Sequence, residues 1–501
     1  MSLRPTATAP GAARYRRPGG PWSGPPLDRA LPLEGMGPDR LIDGPVRLSG
    51  AELAERVAEI AGGLRERGVR RGDVVAWQLP NWHEAVLLYR ACWRLGAIAA
   101  PIHHGAGPAE VASLVARVAP TVWVDAITAR RDGLPAGRPW HRDVAHPAAV
   151  AAVLFTAGST GRPKAVLHTH RGLAYKGRLM ATVHGLTPDD AILMPAPLAH
   201  VSGLLNGVLV PQAAQMRVVL MERWNPDNAL DLIERERITF MIGPPTFFVG
   251  LMGAAGFSSE RVRTLRLVSS GGAGVTPAFV ADASRAFGCL VKRTYGSTEA
   301  PTVTTSTADD PPARAAETDG RAAGEVELRI SDPATRRRLP PGTTGELWLR
   351  GPEVCAGYAD AEDTRAAFHR GWFRTGDLAQ VDADGWLTIV GRMGDVIIRG
   401  GENIAAAEVE AVLEAHPAVR QAVAVGYPDD VMGERVAAFV VTSEPFDLDA
   451  CRDWFTSRGV SKFKTPERVE ALSELPTLAA GKIDRAALKE LARSRSSRPG
   501  P

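Results

Sequence analysis

Short runs that are apolar throughout alternate along the chain with longer stretches in which apolar residues recur every three or four positions. Residues 73–79 read as a strand buried on both faces, and 82–95 as an amphipathic helix. A strand at 99–102, a helix at 108–118 opened by Pro108 and a strand at 121–124 continue the rhythm. Further strands are expected at 150–155, 239–242 and 265–269. Helices alternating with all-apolar strands favour parallel sheets covered on both faces. The pattern predicts an α/β fold whose large N-terminal region holds doubly wound parallel sheets.

Beyond about residue 318 the period changes. Strands at 324–330, 345–350 and 386–390, joined by turns, predict a small antiparallel, β-barrel-like part. After Gly394 a compact unit follows, with helices at 407–415 and 448–457 and strands at 421–425, 436–441 and 468–471. This is the expected small α+β C-terminal domain. The glycine-punctuated stretch Gly391-Arg392-Met393-Gly394-Asp395 marks the boundary. The expected division is a flexible tail at 1–26, an N-terminal domain at 27–392, a hinge at 393–395, a C-terminal domain at 396–492 and a second tail at 493–501. Both tails are too polar or too rich in Pro and Gly to offset their ordering entropy.

Composition narrows the function classes. A chain of 501 residues exceeds one ordinary domain. Its net charge of +3 gives no electrostatic reason to expect nucleic acid. The longest apolar run, 148–157, is far too short for a membrane span, and the basic N-terminus lacks a signal-peptide apolar core, so a cytoplasmic protein is expected. Cys92, Cys289, Cys355 and Cys451 lie far apart, without metal or redox spacing, and read as core thiols.

One segment carries chemistry on its own. Thr156-Ala157-Gly158-Ser159-Thr160-Gly161-Arg162-Pro163-Lys164 directly follows the apolar strand that ends at Phe155. Glycines let a backbone approach a phosphate, and hydroxyls and a lysine donate to its oxygens. The spacing is not that of a Walker loop. A bare Gly/Ser turn is the competing reading, and the density of donors beside a buried strand weighs against it.

This segment resembles the phosphate-binding loop of the adenylate-forming superfamily, and further motifs follow it in order. They are Pro197-Leu198-Ala199-His200, Ser270-Gly271-Gly272-Ala273, Tyr295-Gly296-Ser297-Thr298-Glu299, Gly345-Glu346-Leu347, Phe373-Arg374-Thr375-Gly376-Asp377, Gly391-Arg392, Gly400-Gly401-Glu402-Asn403 and Gly481-Lys482-Ile483. Each is weak alone; in order they are specific, and the resemblance covers about residues 45–490. The resemblance implies an ATP- and Mg²⁺-dependent enzyme that joins a carboxylic acid to AMP and then to coenzyme A. Thr156, Gly158, Ser159, Thr160, Gly161 and Lys164 would face the phosphates. Thr298 would contact the α-phosphate and Glu299 would hold the metal. Gly271, Gly272, Ala273 and Tyr295 would wall the adenine, Asp377 would anchor the ribose, and Arg392 would add a ribose or phosphate contact. Lys482 would bridge the attacking carboxylate and the α-phosphate, His200 would gate the acyl pocket, and Gly400 and Gly401 would border the thiol's tunnel.

The branch is read from finer features. No Asp stands just beyond His200 to pair a substrate ammonium, since Val201 and Ser202 follow. The stretches Gln78-Leu79-Pro80-Asn81-Trp82 and Tyr295 through Pro301, followed by Thr318-Asp319-Gly320-Arg321, resemble ligases for cyclohexanecarboxylate and medium-chain acids. The acyl pocket is expected near 203–207, 242–246 and 270–275. Ala157, Ala406, Ala480 and Gly394 depart from the usual residues without removing a required charge. An acyl-AMP ligase loading a carrier protein and a non-catalytic adenylate sensor stay open as rivals, and so does a homodimer.

Overall fold

The computed structural model describes residue 3 and residues 12–156, 163–272, 274–399, 402–429, 432–478 and 482–496. A nine-stranded sheet runs in the order Arg321–Ala322, Thr304–Thr305, Leu290–Tyr295, Leu267–Gly271, Phe240–Gly243, Ala191–Met194, Arg217–Leu220, Leu41–Asp43, Val46–Leu48. Its six central strands are parallel and its ends antiparallel. A second sheet has the order Val122–Asp125, Val74–Gln78, Ile98–Pro101, Val150–Thr156, Lys164–Thr169, with only the last pair antiparallel. One continuous core of Trp77, Leu88, Trp93, Leu154, Leu209 and Phe240 fills the space between these sheets. This is the α/β architecture that the apolar runs anticipate.

Local chemistry explains the helix ends. Ser49 and Glu52 form a reciprocal capping box at the start of Gly50–Glu66. The helix His83–Leu95 stops at Gly96, whose φ of 64° is left-handed. Pro108 opens Pro108–Val118 at a position where a missing N–H costs nothing.

The third sheet is antiparallel. Its path Glu327–Ser331, Gly345–Arg350, Trp372–Val381, Phe368–His369 carries Leu387–Arg392 as a further partner of Trp372–Val381. The small C-terminal domain pairs Glu402–Ala405, Val396–Arg399, Gly433–Thr442 and Val419–Asp429, with Arg468–Ala471 alongside Gly433–Thr442. It buries its own residues on both faces: Ile404, Val409, Leu413 and Phe455 on one, Val425, Phe439, Leu475 and Leu488 on the other.

Two expectations need correction. The stretch to residue 26 is not a loose tail from Ala12 onward. Ala12–Arg16 forms a 3₁₀ turn, Tyr15 is fully buried, and Trp22 Nε1 donates to the Pro352 carbonyl at 3.0 Å. Arg171 lies over the Trp22 ring at 3.7 Å. Two aromatics supply the burial that the Pro- and Gly-rich composition hides. At the other end, the helix Arg485–Ser496 runs past the expected boundary at 493.

Candidate active site

The segment after strand Val74–Gln78 gathers three loops. Gln78 Nε2 donates to the carbonyls of His103, His104 and Ala106 at 3.2, 3.2 and 3.0 Å. Asn81 Nδ2 donates to the Ala196 carbonyl at 2.8 Å, and the Leu198 N–H donates to Asn81 Oδ1 at 2.8 Å. Trp82 Nε1 donates to Glu222 Oε2 at 2.9 Å. These three side chains set one wall of a cleft of roughly 330 Å³, bordered by His104, Pro195, Pro197, Trp224, Thr246 and Phe247. The Trp224 and Phe247 rings stack there, 4.6 Å apart. Thr477 and Leu478 of the small domain close the cleft, with Glu222 and Arg223 at its edge.

Among the described residues of the stretches expected to line the acyl pocket, Thr246 alone borders this cleft. Gly203 and Gly207 serve close packing instead. A Cβ on Gly203 would lie 2.0 Å from the Pro197 carbonyl oxygen, and one on Gly207 would lie 2.7 Å from a Leu198 methyl.

A second group of residues meets at strand ends. Tyr295 ends Leu290–Tyr295 and donates its hydroxyl to Asp377 Oδ2 at 2.5 Å. Arg392 stands opposite Asp377 across the antiparallel pair, and its Nε donates to Oδ1 at 2.7 Å. Asp377 is 4% exposed. Burial, with the Asp377 charge next, pushes the Tyr295 hydroxyl far above the phenol range, so it stays a donor. Asp377 raises the Arg392 guanidinium further against the opposing effect of burial. Each carboxylate oxygen has a second lone-pair direction left for an added hydroxyl.

Thr298 and Glu299 lie in the turn after Tyr295. His168 Nε2 donates to the Thr298 carbonyl at 2.8 Å, and the Cys355 N–H donates to the Glu299 carbonyl at 2.7 Å. Burial drives His168 down to about 4, which keeps it neutral and its Nε2 protonated for this bond. Tyr358 donates its hydroxyl to Glu299 Oε1 at 2.7 Å. One carboxylate with a free edge suits Mg²⁺, which takes few protein ligands and completes its shell with phosphate oxygens and water. Thr156 and Lys164 face each other in register at the base of the Gly/Ser loop. Lys164 Nζ lies 3.6 Å from Asp363 and 5.2 Å from the centre of the Tyr358 ring.

Lys482 arrives from the small domain. Its hairpin is closed by Leu478 N–H to the Lys482 carbonyl at 2.6 Å and by Asp484 N–H to the Pro476 carbonyl at 2.8 Å. A Cβ on Gly272 would lie 3.6 Å from Lys482 Cε and 4.0 Å from Nζ. The ammonium is held below the ordinary lysine range by partial desolvation in the cleft and then by Arg392, while Asp377 and Glu299 pull the other way. His200 precedes Val201–Gly203, with its ring 5.0 Å from that of His103. Burial first, then His103 and Lys482, pushes His200 down to about 3.

Thus Lys482, Gly272, Tyr295, Asp377, Arg392 and Glu299 share one cleft. Gly271 ends the adjoining strand Leu267–Gly271. Gly158, Ser159, Thr160, Gly161, Ala273, Gly400 and Gly401 lie outside the described residues. Tyr358, His168, Gln78 and Asn81 support the site in ways that sequence reading missed. Only the run at 78–82 carried a signal, and that was as a resemblance without a role.

Comparison with known proteins follows the same outline. The AMP-binding enzyme family matches residues 35–359, and the AMP-binding enzyme C-terminal domain matches 408–482. A medium-chain fatty-acid–CoA ligase of Escherichia coli K12 is 34% identical over 473 residues, covering 86% of this chain and 83% of that protein. A feruloyl-CoA synthase of an Amycolatopsis species is 34% identical over 463 residues, 88% of this chain and 93% of that protein. The crystal structure of ATP-bound MatB from Rhodopseudomonas palustris superposes with a TM-score of 0.85 at 28% identity, over 93% of this chain and 99% of that one. An o-succinylbenzoate CoA synthetase from Bacillus subtilis, solved with its acyl-adenylate, gives 0.81 at 27% identity over 95% and 99%. No helix among the described residues is long and apolar enough to cross a membrane. Both family regions stand in order on the fold and cleft described above, and the chain belongs to the AMP-binding enzyme family as an AMP-forming acid–thiol ligase.

Proposed function

We propose that the protein activates an apolar carboxylic acid, of medium chain length or carrying a ring, and transfers the acyl group to coenzyme A. The observation that carries this reading is Lys482 reaching across from the small domain to lie against Gly272, in one cleft with Asp377, Arg392 and Glu299. A carboxylate and ATP repel each other, and an ammonium between them lowers that cost where charge develops. Asp377 accepts the ribose hydroxyls while its other lone pairs hold Tyr295 and Arg392. The Tyr295 ring and the Gly271-Gly272 backbone flank the adenine, and Thr156, Thr298 and Lys164 face the phosphates. Mg²⁺ held by Glu299 supplies further charge neutralisation.

The two half-reactions need different neighbours at one carbonyl carbon. Lys482 serves the first and must withdraw for the thiol to enter. We assign the turn to Met393–Asp395, where Gly394 is exposed and a Cβ would meet nothing. Residues 396–496 then move as the small domain, with Gly400 and Gly401 proposed for the thiol side. The stacked Trp224–Phe247 wall favours an apolar acyl group, in keeping with the medium-chain and feruloyl relatives. Those same relatives favour coenzyme A over a carrier protein, and the presence of both Lys482 and Glu299 speaks against a non-catalytic sensor.

Pyrophosphate exchange over a panel of medium-chain, cyclohexane and aryl-propenoic acids tests the first step. Mg²⁺-dependent exchange with at least one class is expected, followed by thioester formation that requires coenzyme A. No exchange from a folded sample that binds ATP would overturn the reading.

A further inference from the structure

His103 carries a hydrogen-bond donor that no residue of the described chain uses. The Gly105 N–H donates to His103 Nδ1 at 2.9 Å, so Nδ1 is an acceptor and the ring proton sits on Nε2. Nε2 is shut away from solvent and has no partner among the described residues. Burial, with His104 next, drives the imidazole down to about 4, so it stays neutral in neutral solution. The ring cannot turn away cheaply. Its loop is fastened by Gln78, which donates to the carbonyls of His103, His104 and Ala106, and the ring is packed by His104 at 4.5 Å and His200 at 5.0 Å. A buried donor left unpaired is costly, so a fold that fixes one this firmly gains if the donor is satisfied during turnover.

The surroundings say what could satisfy it. His104 borders the cleft of Trp224, Phe247 and Leu478, and His200 packs against His103 and feels the charge of Lys482. The charged groups nearby are Lys482 and Arg223, with Glu222 beside Arg223 at the cleft's edge; an N–H there calls for an oxygen acceptor. We propose that His103 Nε2–H is a specificity-determining donor for an acceptor oxygen on a bound ligand. That oxygen is carried either by the acyl group or by an amide carbonyl of the thiol's arm, and turning of His200 uncovers the donor. This deepens the ligase reading and rests on it.

The test separates the half-reactions. His103→Phe keeps a flat ring and removes the donor; His103→Gln returns an N–H near the Nε2 position. Pyrophosphate exchange, run without thiol, compares octanoate with its mono-oxa analogues and cinnamate with 4-hydroxycinnamate. If the acyl group supplies the oxygen, the kcat/KM ratio of an oxygen-bearing acid to its hydrocarbon twin falls about five- to tenfold in His103→Phe and recovers in His103→Gln. If the thiol supplies it, that ratio holds, but thioester formation from preformed acyl-AMP slows about five- to tenfold and recovers in His103→Gln. Both measurements within twofold of the unchanged protein, or equal damage in the two variants, would overturn the proposal. Exchange by the unchanged protein with such acids keeps the ligase reading standing in that event. Absence of any exchange sinks both.

Discussion

The two sides of the cleft are built differently. On the large region's side the polar groups are fastened before any ligand arrives. Asp377 is buried and takes bonds from Tyr295 and Arg392, and Glu299 takes one from Tyr358. On the small domain's side Lys482 is carried on a narrow hairpin closed by two backbone bonds. That hairpin is braced at its far end, where Arg485 grips both oxygens of Glu410 at 2.6 and 2.7 Å. Preorganised groups stabilise charge without reorganising when the reaction occurs, so the nucleotide side gains from rigidity. A cation needed for one step and obstructive in the next gains from arriving on a body that can leave. On the proposed roles, binding falls to one side and timing to the other.

The sharpest way to break that contrast is Lys482→Ala. Pyrophosphate exchange should fall by a factor on the order of 10²–10³. Thioester formation from preformed acyl-AMP, followed by coenzyme A consumption, should fall far less. Equal losses in both would make the lysine structural and end the division of labour. Asp377→Ala probes the fixed side and should lower kcat/KM for ATP about ten- to hundredfold, because it strips the proposed ribose anchor and leaves Tyr295 and Arg392 without their shared acceptor. That loss should appear in the KM for ATP under steady-state kinetics, and a pure kcat effect would contradict it. A smaller effect concerns pH. Lys482 acts as a cation and its pKa is lowered, so exchange should decline as pH rises, at a midpoint below the ordinary lysine value. Lys482→Arg should remove that limb from the pH–rate profile.

Much of this could be read in the chain because packing and local periodicity agreed. The strand Val74–Gln78 and the helix His83–Leu95 follow their apolar pattern almost to the residue, as Leu448–Ser457 does in the small domain. The antiparallel third sheet was visible as a change of period. The site residues were legible only through motifs, because a lone Glu299 or Lys482 looks like any solvated charge. Their supports were not legible at all. Tyr358 lies 59 positions from Glu299, and His168 lies 130 from Thr298, separations that no local pattern reports. The N-terminal strap failed for a related reason: Tyr15 and Trp22 gain their burial from residues near 171 and 352. Composition sees the prolines and glycines around them and not the surface that receives them.

The small domain offers a last and milder test of the same contrast. Glu410 and Glu414 lie one turn apart on the helix Ala406–Glu414 and both accept N–H groups of the strand Val419–Asp429, from Ala424 at 2.8 Å and Ala422 at 3.2 Å. Arg485 neutralises Glu410, whereas Glu414 has no ion pair among the described residues. Desolvation, opposed by the Ala422 bond and reinforced by Glu410, pushes Glu414 up to about 7. The folded domain therefore holds a proton that the unfolded chain has already released. Stability from this group is present below the ordinary glutamate range and is lost as pH rises through about 7. Partial exposure keeps the effect small, about 1–2 kcal/mol, since one pKa unit is worth about 1.4 kcal/mol. Hydrogen exchange at residues 406–442 should accelerate between pH 5.5 and 8 beyond the intrinsic chemical rate, and Glu414→Gln should cancel most of that change. If Glu414→Gln leaves the pH dependence intact, the carboxyl is already hydrated in the folded domain and the change in exchange has another source.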